Sequence, residues 1–246
     1  MSNITRRTFL AVAGAATASL AGCGSSGSQG KIITTTTTIT ENSSSTAIEA
    51  SKDDIEIIMA PVLNFFEEYR ECTYITKVRN NGQYCIKSVR LQSVAHAEDD
   101  SLLGSDNYGL AVHNLQPGEE AYLVGQFIGC DTMPASVKLN VVVTQAEEPN
   151  EHNKFRPTVK NAQVRFCDDP HSTRAVAEVV NDSDTEYSAL IVNFALLNAD
   201  GEVEGGVQGS VMPFGAGADI QVNGDSIYAR AIIDAVSVEC TTSLQD

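Results

Sequence analysis

The feature that most constrains the fold is an internal repeat, because the chain from about residue 55 onward resembles itself at a constant offset of 101 residues. Apolar residues recur two positions apart within each matched run, so both copies present one face to a core. The matched pairs are Leu63/Val164, Phe65/Phe166, Ile75/Val176, Val78/Val179, Asn80/Asn181, Val89/Leu190 and Leu91/Val192. A register held through several runs predicts one module present twice.

Short apolar runs alternate with turn residues in both copies, and no stretch shows the 3.6-residue period of a helix. The pattern predicts six strands per copy, which we place at 56–66, 72–80, 85–96, 108–114, 120–128 and 135–144, and at 160–167, 174–181, 187–198, 206–213, 218–223 and 227–239. The predicted fold class is therefore all-β. We expect two tandem immunoglobulin-like β-sandwiches at 51–146 and 160–246, joined by a linker at 147–159.

The first 22 residues are typical of an export signal. A charged start containing Arg6 and Arg7 precedes an apolar run, and this run is shorter than the ~20 residues that span a bilayer. The segment around Arg6 and Arg7 resembles the twin-arginine export motif, and Leu20-Ala21-Gly22-Cys23 resembles the bacterial lipobox. The resemblance implies cleavage before Cys23, lipidation of that residue, and a Ser/Thr-rich tether over 23–50.

The charge of the chain restricts its partners. It has 32 acidic and 16 basic residues, and removal of the signal leaves 14 basic residues and a formal charge of −18. This balance excludes a nucleic-acid binder and an electrostatic membrane binder, since both need basic patches. The lipid alone is therefore expected to hold the protein at the outer face of the bacterial cytoplasmic membrane, as part of the cell envelope.

A family resemblance is carried by residues 194–201, Phe-Ala-Leu-Leu-Asn-Ala-Asp-Gly. This segment resembles the FxLYD-type motif of small β-sandwich domains in bacterial surface lipoproteins, with Leu197 in place of the usual Tyr. In the first copy the motif is degenerate, but residues 115–119, Leu-Gln-Pro-Gly-Glu, fit the later turn. The resemblance implies a fold and a surface location, and it supplies no catalytic residue and no cofactor.

Five cysteines remain after Cys23. Thiols outside the membrane tend to pair, and an odd number leaves at least one unpaired. Cys72 and Cys130 fall at the same end of the predicted sandwich, so we favour a disulfide between them. Cys167–Cys240 is a second pairing, with Cys85 as the odd residue. The spacing of zinc ligands is absent from the sequence, so no metal site is expected.

No catalytic signature of a hydrolase occurs in the sequence, so we do not expect an enzyme. The expected function is a non-catalytic, lipid-anchored surface protein that presents its modules to an unknown protein or envelope partner. The acidic hairpin turns 97–101 and 199–204 are the candidate contact points. The alternative is a ligand- or metal-binding accessory component of a transport or sensing system, with its site between the modules near the linker.

Overall fold

Two antiparallel sheets form the first half of the protein. The computed structural model describes residues 48–106, 111–166, 173–224 and 235–246. The strands of the first half are β1 (Ile55–Phe66), β2 (Glu71–Asn80), β3 (Cys85–His96), β4 (Leu102–Asp106), β5 (Val112–Leu115), β6 (Glu120–Ile128), β7 (Ser136–Val143) and β8 (Ala146–Glu147). One sheet has the order β1-β2-β6, and in the other β4, β5, β7 and β8 all pair with β3.

The second half repeats this arrangement. Its strands are β9 (Thr158–Phe166), β10 (Thr173–Val180), β11 (Ala189–Leu197), β12 (Val203–Val211), β13 (Asp219–Gly224) and β14 (Ser237–Gln245). They form one sheet of order β13-β10-β9 and a second of order β12-β11-β14. Because β6-β2-β1 matches β13-β10-β9 and β4-β3-β7 matches β12-β11-β14, the two halves share one topology. The prediction of an all-β sandwich fold is confirmed.

Three details differ from the sequence-based expectation. The single strand expected at 108–114 is replaced by β4 and β5, with 107–110 outside the described residues. Of the last strand, expected at 227–239, residues 227–234 lie outside the described residues, and β14 begins at Ser237. A four-residue helix, α1 (Glu151–Lys154), lies in the linker, where Asn150 and Asn153 form a capping box. The alternating pattern located the paired strands, and it missed the linker helix, which is set by local capping.

A buried asparagine at the end of β2 and β10 shows how far the duplication extends. Asn80 donates from Nδ2 to the carbonyl oxygens of Tyr84 and Leu115, and Asn181 donates to those of Thr185 and Gly215. Both asparagines are fully buried. The repeat therefore preserves a polar interaction in the core as well as the apolar pattern.

Each half has its own core between its two sheets. The first is built around Tyr74, Val89 and Phe127, and the second around Leu190, Phe194 and Phe214. β11 is buried along its whole length, although a strand of a free-standing sandwich exposes alternate residues. The outer face of β11 is buried because the first half packs against it.

A third apolar cluster, the seam, joins the two halves. Its buried members are Ile75 and Tyr122 of the first half and Ala195 of the second. Gly206 in β12 lies so close that a Cβ atom there would come within 2.5 Å of Ile75 Cδ1. Glycine at position 206, in the glycine-rich segment 205–209, thus permits close approach between the halves. The described residues from 48 onward form one compact unit.

Candidate functional site

The sequence-predicted site residues of the export segment lie outside the described residues. Arg6, Arg7 and Cys23 belong to this group, and Cys167 falls in another segment that the structure does not describe. The twin-arginine motif, the lipidation and the Cys167–Cys240 pairing stay predictions. Among the described residues, no helix is long and apolar enough to cross a membrane.

The disulfide expected between Cys72 and Cys130 is not formed. Both are free thiols buried in the first core, as Cys85 is elsewhere in that half, and Cys240 is a free, half-buried thiol on β14. Cys72 lies opposite Phe127 in the sheet, whereas Cys130 follows β6 and places its sulfur 3.5 Å from the Cβ position of Gly104. Burial, followed by the charge on Cys130, raises the pKa of Cys72 to about 12. The two thiols lie at one end of the same core with no bond between them.

The two acidic hairpin turns have the same backbone geometry. Ala97 donates its N–H to the Ser101 carbonyl oxygen at 2.9 Å, and Asn198 donates to that of Glu202 at 3.0 Å. The left-handed position is occupied by Asp100 in the first turn (φ 62°) and by Gly201 in the second (φ 80°). Aspartate tolerates this region better than most residues, so both sequences can close the same turn.

Both turns lie at the end of the body opposite to the entry of the chain. We call the end with Ile55 and Asn80 the near end, and the end with Phe66 and His96 the far end. Ile48 pairs with Ala146 next to the start of β3, which places the entry at the near end. The first turn follows His96 directly. β1 runs the full distance in 12 residues, or roughly 35–40 Å.

The second turn reaches the far end through contacts with β1. The Asn64 side chain donates to the Glu204 carbonyl oxygen at 2.8 Å, close to the point where β1 ends. The far end is strongly acidic and partly apolar. Its exposed acidic residues include Glu67, Glu68, Glu98, Asp99, Asp100, Asp131, Asp200 and Glu202, and its exposed large hydrophobic residues include Leu102, Ile128 and Met133.

The seam contains hydrogen bonds as well as apolar contacts. Tyr122 donates its hydroxyl to Glu239 Oε2 at 2.7 Å, and its backbone N–H donates to the Thr241 hydroxyl at 3.1 Å. The Arg156 guanidinium, just after α1, donates to both the Glu119 carboxylate and the Asn114 carbonyl oxygen. These bonds fix the linker and both halves to one another at the near end.

A cavity of about 210 Å³ opens at the near end, between the two halves. Its lining comprises Lys87, Ser88, His113, Asn114, Leu244, Gln245 and Asp246. Lys87 Nζ lies 2.7 Å from Asp246 Oδ2 and 3.3 Å from Glu147 Oε1, and Asp246 Oδ1 lies 2.7 Å from His152 Nε2 in α1. A site near the linker was the alternative predicted from the sequence, but the pattern did not indicate the lining residues, which come from β3, β5, the end of β14 and Asp246 after it.

The histidines of the described residues do not gather with acidic side chains at one site. His96 contacts the Asp100 carbonyl oxygen in the first turn, whereas His113 and His152 lie at the near end. His171 lies outside the described residues. Within the described residues, no group of three or more His, Cys, Asp or Glu side chains could hold a metal ion.

Neither models of known protein families nor curated proteins match this chain. The resemblance to FxLYD-type domains therefore remains an interpretation of the sequence. The geometry leaves two candidate sites, which are the acidic far end and the near-end cavity.

Proposed function

We propose that the protein is a non-catalytic, lipid-anchored component of the bacterial cell envelope that presents its far end to a protein partner. The observation that carries the proposal is the arrangement of the body. The chain enters at the near end, and the repeat brings both acidic turns to the far end, roughly 35–40 Å away. A tether at the near end would direct the acidic turns away from the membrane.

The chemistry of the far end supports a basic partner. Four of the five large exposed hydrophobic residues in the described part of the chain lie there among the exposed carboxylates, namely Leu102, Ile128, Met133 and Val236. Arg70, which is exposed at this end, is already paired with Asp131. Interfaces combine apolar contacts with complementary charge, and complementary charge accelerates association. We therefore expect the partner to present Lys or Arg side chains around an apolar contact.

The test compares two sets of charge-neutralising substitutions that keep the side-chain shape. The far-end variant replaces six acidic residues by amides, at Glu98, Asp99, Asp100, Asp200, Glu202 and Glu204. The control variant replaces Asp182, Asp184 and Glu186, which are exposed in an acidic loop at the near end. We expect crosslinking in the native envelope to recover a partner with the wild type and the control, and at least tenfold less of it with the far-end variant. Equal recovery with all three proteins would refute the proposal.

The anchor is tested separately. In a Cys23→Ala variant we expect the protein to leave the membrane fraction, because the acidic body has no electrostatic attraction to an anionic membrane surface. A variant that stays membrane-bound after a salt wash would contradict lipid anchoring through Cys23.

A second function, as a ligand-binding accessory component of a transport or sensing system, is favoured by the near-end cavity. This cavity lies between the halves, and Asp246 in its wall also contacts His152 of the linker helix. Ligand sites commonly occur at such boundaries. Native mass spectrometry of the protein purified from its envelope is the test, since a bound small molecule of fixed stoichiometry favours this function and a ligand-free mass contradicts it.

A further inference from the structure

Strand β7 forms an open edge of the first half. All eight of its residues pair with β3 in one register, without a bulge. The other side of β7 has no strand beside it among the described residues. The entering chain covers only the near-end part, because a short 3-10 helix at Lys52–Asp54 lies next to β7 just before β1 begins. The part of β7 toward the far end is therefore free to accept another strand.

The alternation of antiparallel hydrogen bonds identifies the backbone groups at this edge. Thr144, just after β7, donates its N–H to the Ser88 carbonyl oxygen, so this is a hydrogen-bonded pair. Counting back along β7, every second residue exchanges hydrogen bonds with β3, and the residues between them direct their N–H and C=O groups to the open edge. These residues are Val137, Leu139 and Val141, and their backbone makes no hydrogen bond to any other described segment.

Other long sheet edges of the described chain are interrupted or covered. β1, β9 and β12 each contain a register shift, and β1 also contains Pro61. On β6, the Gln126 N–H donates to the Asp106 carboxylate. β14 matches β7 in the repeat, and the first half covers its edge, where Asn114 donates to the Leu244 carbonyl oxygen. The edge that the second half uses for contact is thus open in the first half.

The side chains beside the open edge indicate which kind of strand fits it. Val137, Leu139 and Val141 are half-buried and pack against the first core. Lys138 is exposed on the opposite face of the sheet, and Arg90 of β3 is exposed on that same face. Neither cation has an ion pair among the described residues. On a strongly acidic chain, this face therefore favours carboxylates.

We propose that the open edge of β7 binds an extended segment of a partner protein as an added strand, in which apolar residues alternate with acidic ones. The backbone of the segment would pair with that of Val137, Leu139 and Val141. Its apolar side chains would cover those of β7 on the core side, and its carboxylates would meet Lys138 on the outer face. This surface is separate from the acidic turns, so the inference goes beyond the proposed function.

A second copy of the chain fits this edge less well than an acidic segment. β7 itself contains Lys138 and no acidic residue, so two β7 strands have no complementary charge. A symmetric antiparallel pair would also point the near ends of the two bodies in opposite directions, whereas the proposed anchors lie in one membrane. The partner is therefore expected to be a different protein.

The test is an NMR titration of the ¹⁵N-labelled protein with two acetylated, amidated heptapeptides at constant ionic strength. The acidic probe is Val-Glu-Val-Thr-Val-Glu-Val, and the basic probe has Lys in place of Glu. We expect the acidic probe to shift the backbone amide signals of Val137, Leu139 and Val141 saturably, and the basic probe to bind there at least threefold more weakly. Equal or tighter binding of the basic probe at β7, or no saturable shift of these signals, would overturn the proposal.

Variants localise the binding. Leu139→Pro removes the central N–H of the open edge and no hydrogen bond to β3, so it should weaken binding of the acidic probe at least tenfold. Lys138→Glu should reverse the preference between the two probes. Lys154→Glu makes the same charge change at an exposed position of α1 and should leave the preference as in the wild type. If Leu139→Pro loses its dispersed spectrum, Lys138→Glu decides alone, and an unchanged preference would refute the assignment.

Two controls identify other occupants of the edge. If the β7 signals shift with protein concentration alone, a second copy occupies the edge and the proposal is wrong. If deletion of residues 31–41 shifts the same signals without a probe, the tether occupies the edge and the proposal is also wrong. The titration does not depend on partner capture at the far end, so the two proposals can fail independently.

Discussion

Replacing Glu71 by Gln should make the protein more stable at neutral pH. Glu71 is 2% exposed at the start of β2, between Phe66 and Ile128 of the neighbouring strands, and its Oε1 has no partner among the described residues. Burial disfavours the charged carboxylate and raises the pKa of Glu71 from 4.5 to about 7. Glutamine has nearly the same shape and is neutral at every pH.

The pKa values set the direction and size of the effect. Well below pH 4.5 the carboxyl is protonated in both the folded and the unfolded chain, so there it contributes no pH dependence to the free energy of unfolding. Between the unfolded and folded pKa values the folded state binds more protons, so the free energy of unfolding falls as the pH rises. A shift from 4.5 to about 7, at 1.36 kcal/mol per pH unit, corresponds to about 3 kcal/mol at pH 8.

The assay is urea unfolding at pH 4.5, 6 and 8, followed by tyrosine fluorescence because the chain has no Trp. The difference in unfolding free energy between Glu71→Gln and wild type should grow by about 3 kcal/mol across this range. Glu68→Gln, an exposed neighbour, is the control and should follow the wild type. A pH-independent difference for Glu71→Gln would refute the argument that this carboxyl is buried without compensation.

Three further predictions concern packing, the repeat and the thiols. Gly206→Ala should destabilise the protein by about 1–3 kcal/mol in urea unfolding, because its Cβ would collide with Ile75, whereas Gly215→Ala, with open space around it, should be neutral. Asn80→Ala and Asn181→Ala should each lower the free energy of unfolding by roughly 2–3 kcal/mol, because each removes two hydrogen bonds to carbonyl oxygens. A loss of stability at only one of the two positions would contradict their equivalence. The exposed Asn140→Ala is the control. Cys72 should resist alkylation at pH 8 until the protein unfolds, since it is buried and its thiolate fraction is on the order of 10⁻⁴. Mass spectrometry that showed rapid modification of Cys72 in the folded protein would contradict its buried position.

Much of the strand architecture could be predicted from the sequence, because the period-two pattern reports which face of a strand is buried. The pattern located β1, β2 and β3 closely, and the 101-residue offset anticipated that the second half would repeat them. It failed where local interactions decide the structure. The capping box of α1 depends on a few hydrogen bonds that leave no periodic signal.

The candidate sites were predictable to different degrees. The acidic turns follow from an Asp-rich or Asp-Gly segment between two alternating runs, and such a segment predicts a hairpin. The near-end cavity could not be predicted, because Lys87, His113 and Asp246 come from separate strands and meet only after the halves pack together. The expected Cys72–Cys130 disulfide is absent, and both residues are free thiols packed in one core.

By itself, the sequence determined that the chain builds the same β-sandwich twice. Alternation and turn residues act locally along each copy, and the constant offset shows that the two copies share them. It did not determine that the two copies pack through Ile75, Tyr122 and Ala195, or that Gly206 permits this contact. Only the tertiary structure decided that both acidic turns face one end while a cavity forms at the other. The physical reason is that burial between the halves depends on the pairing of distant surfaces, and a periodic pattern reports only which residues are apolar, not which surface covers them.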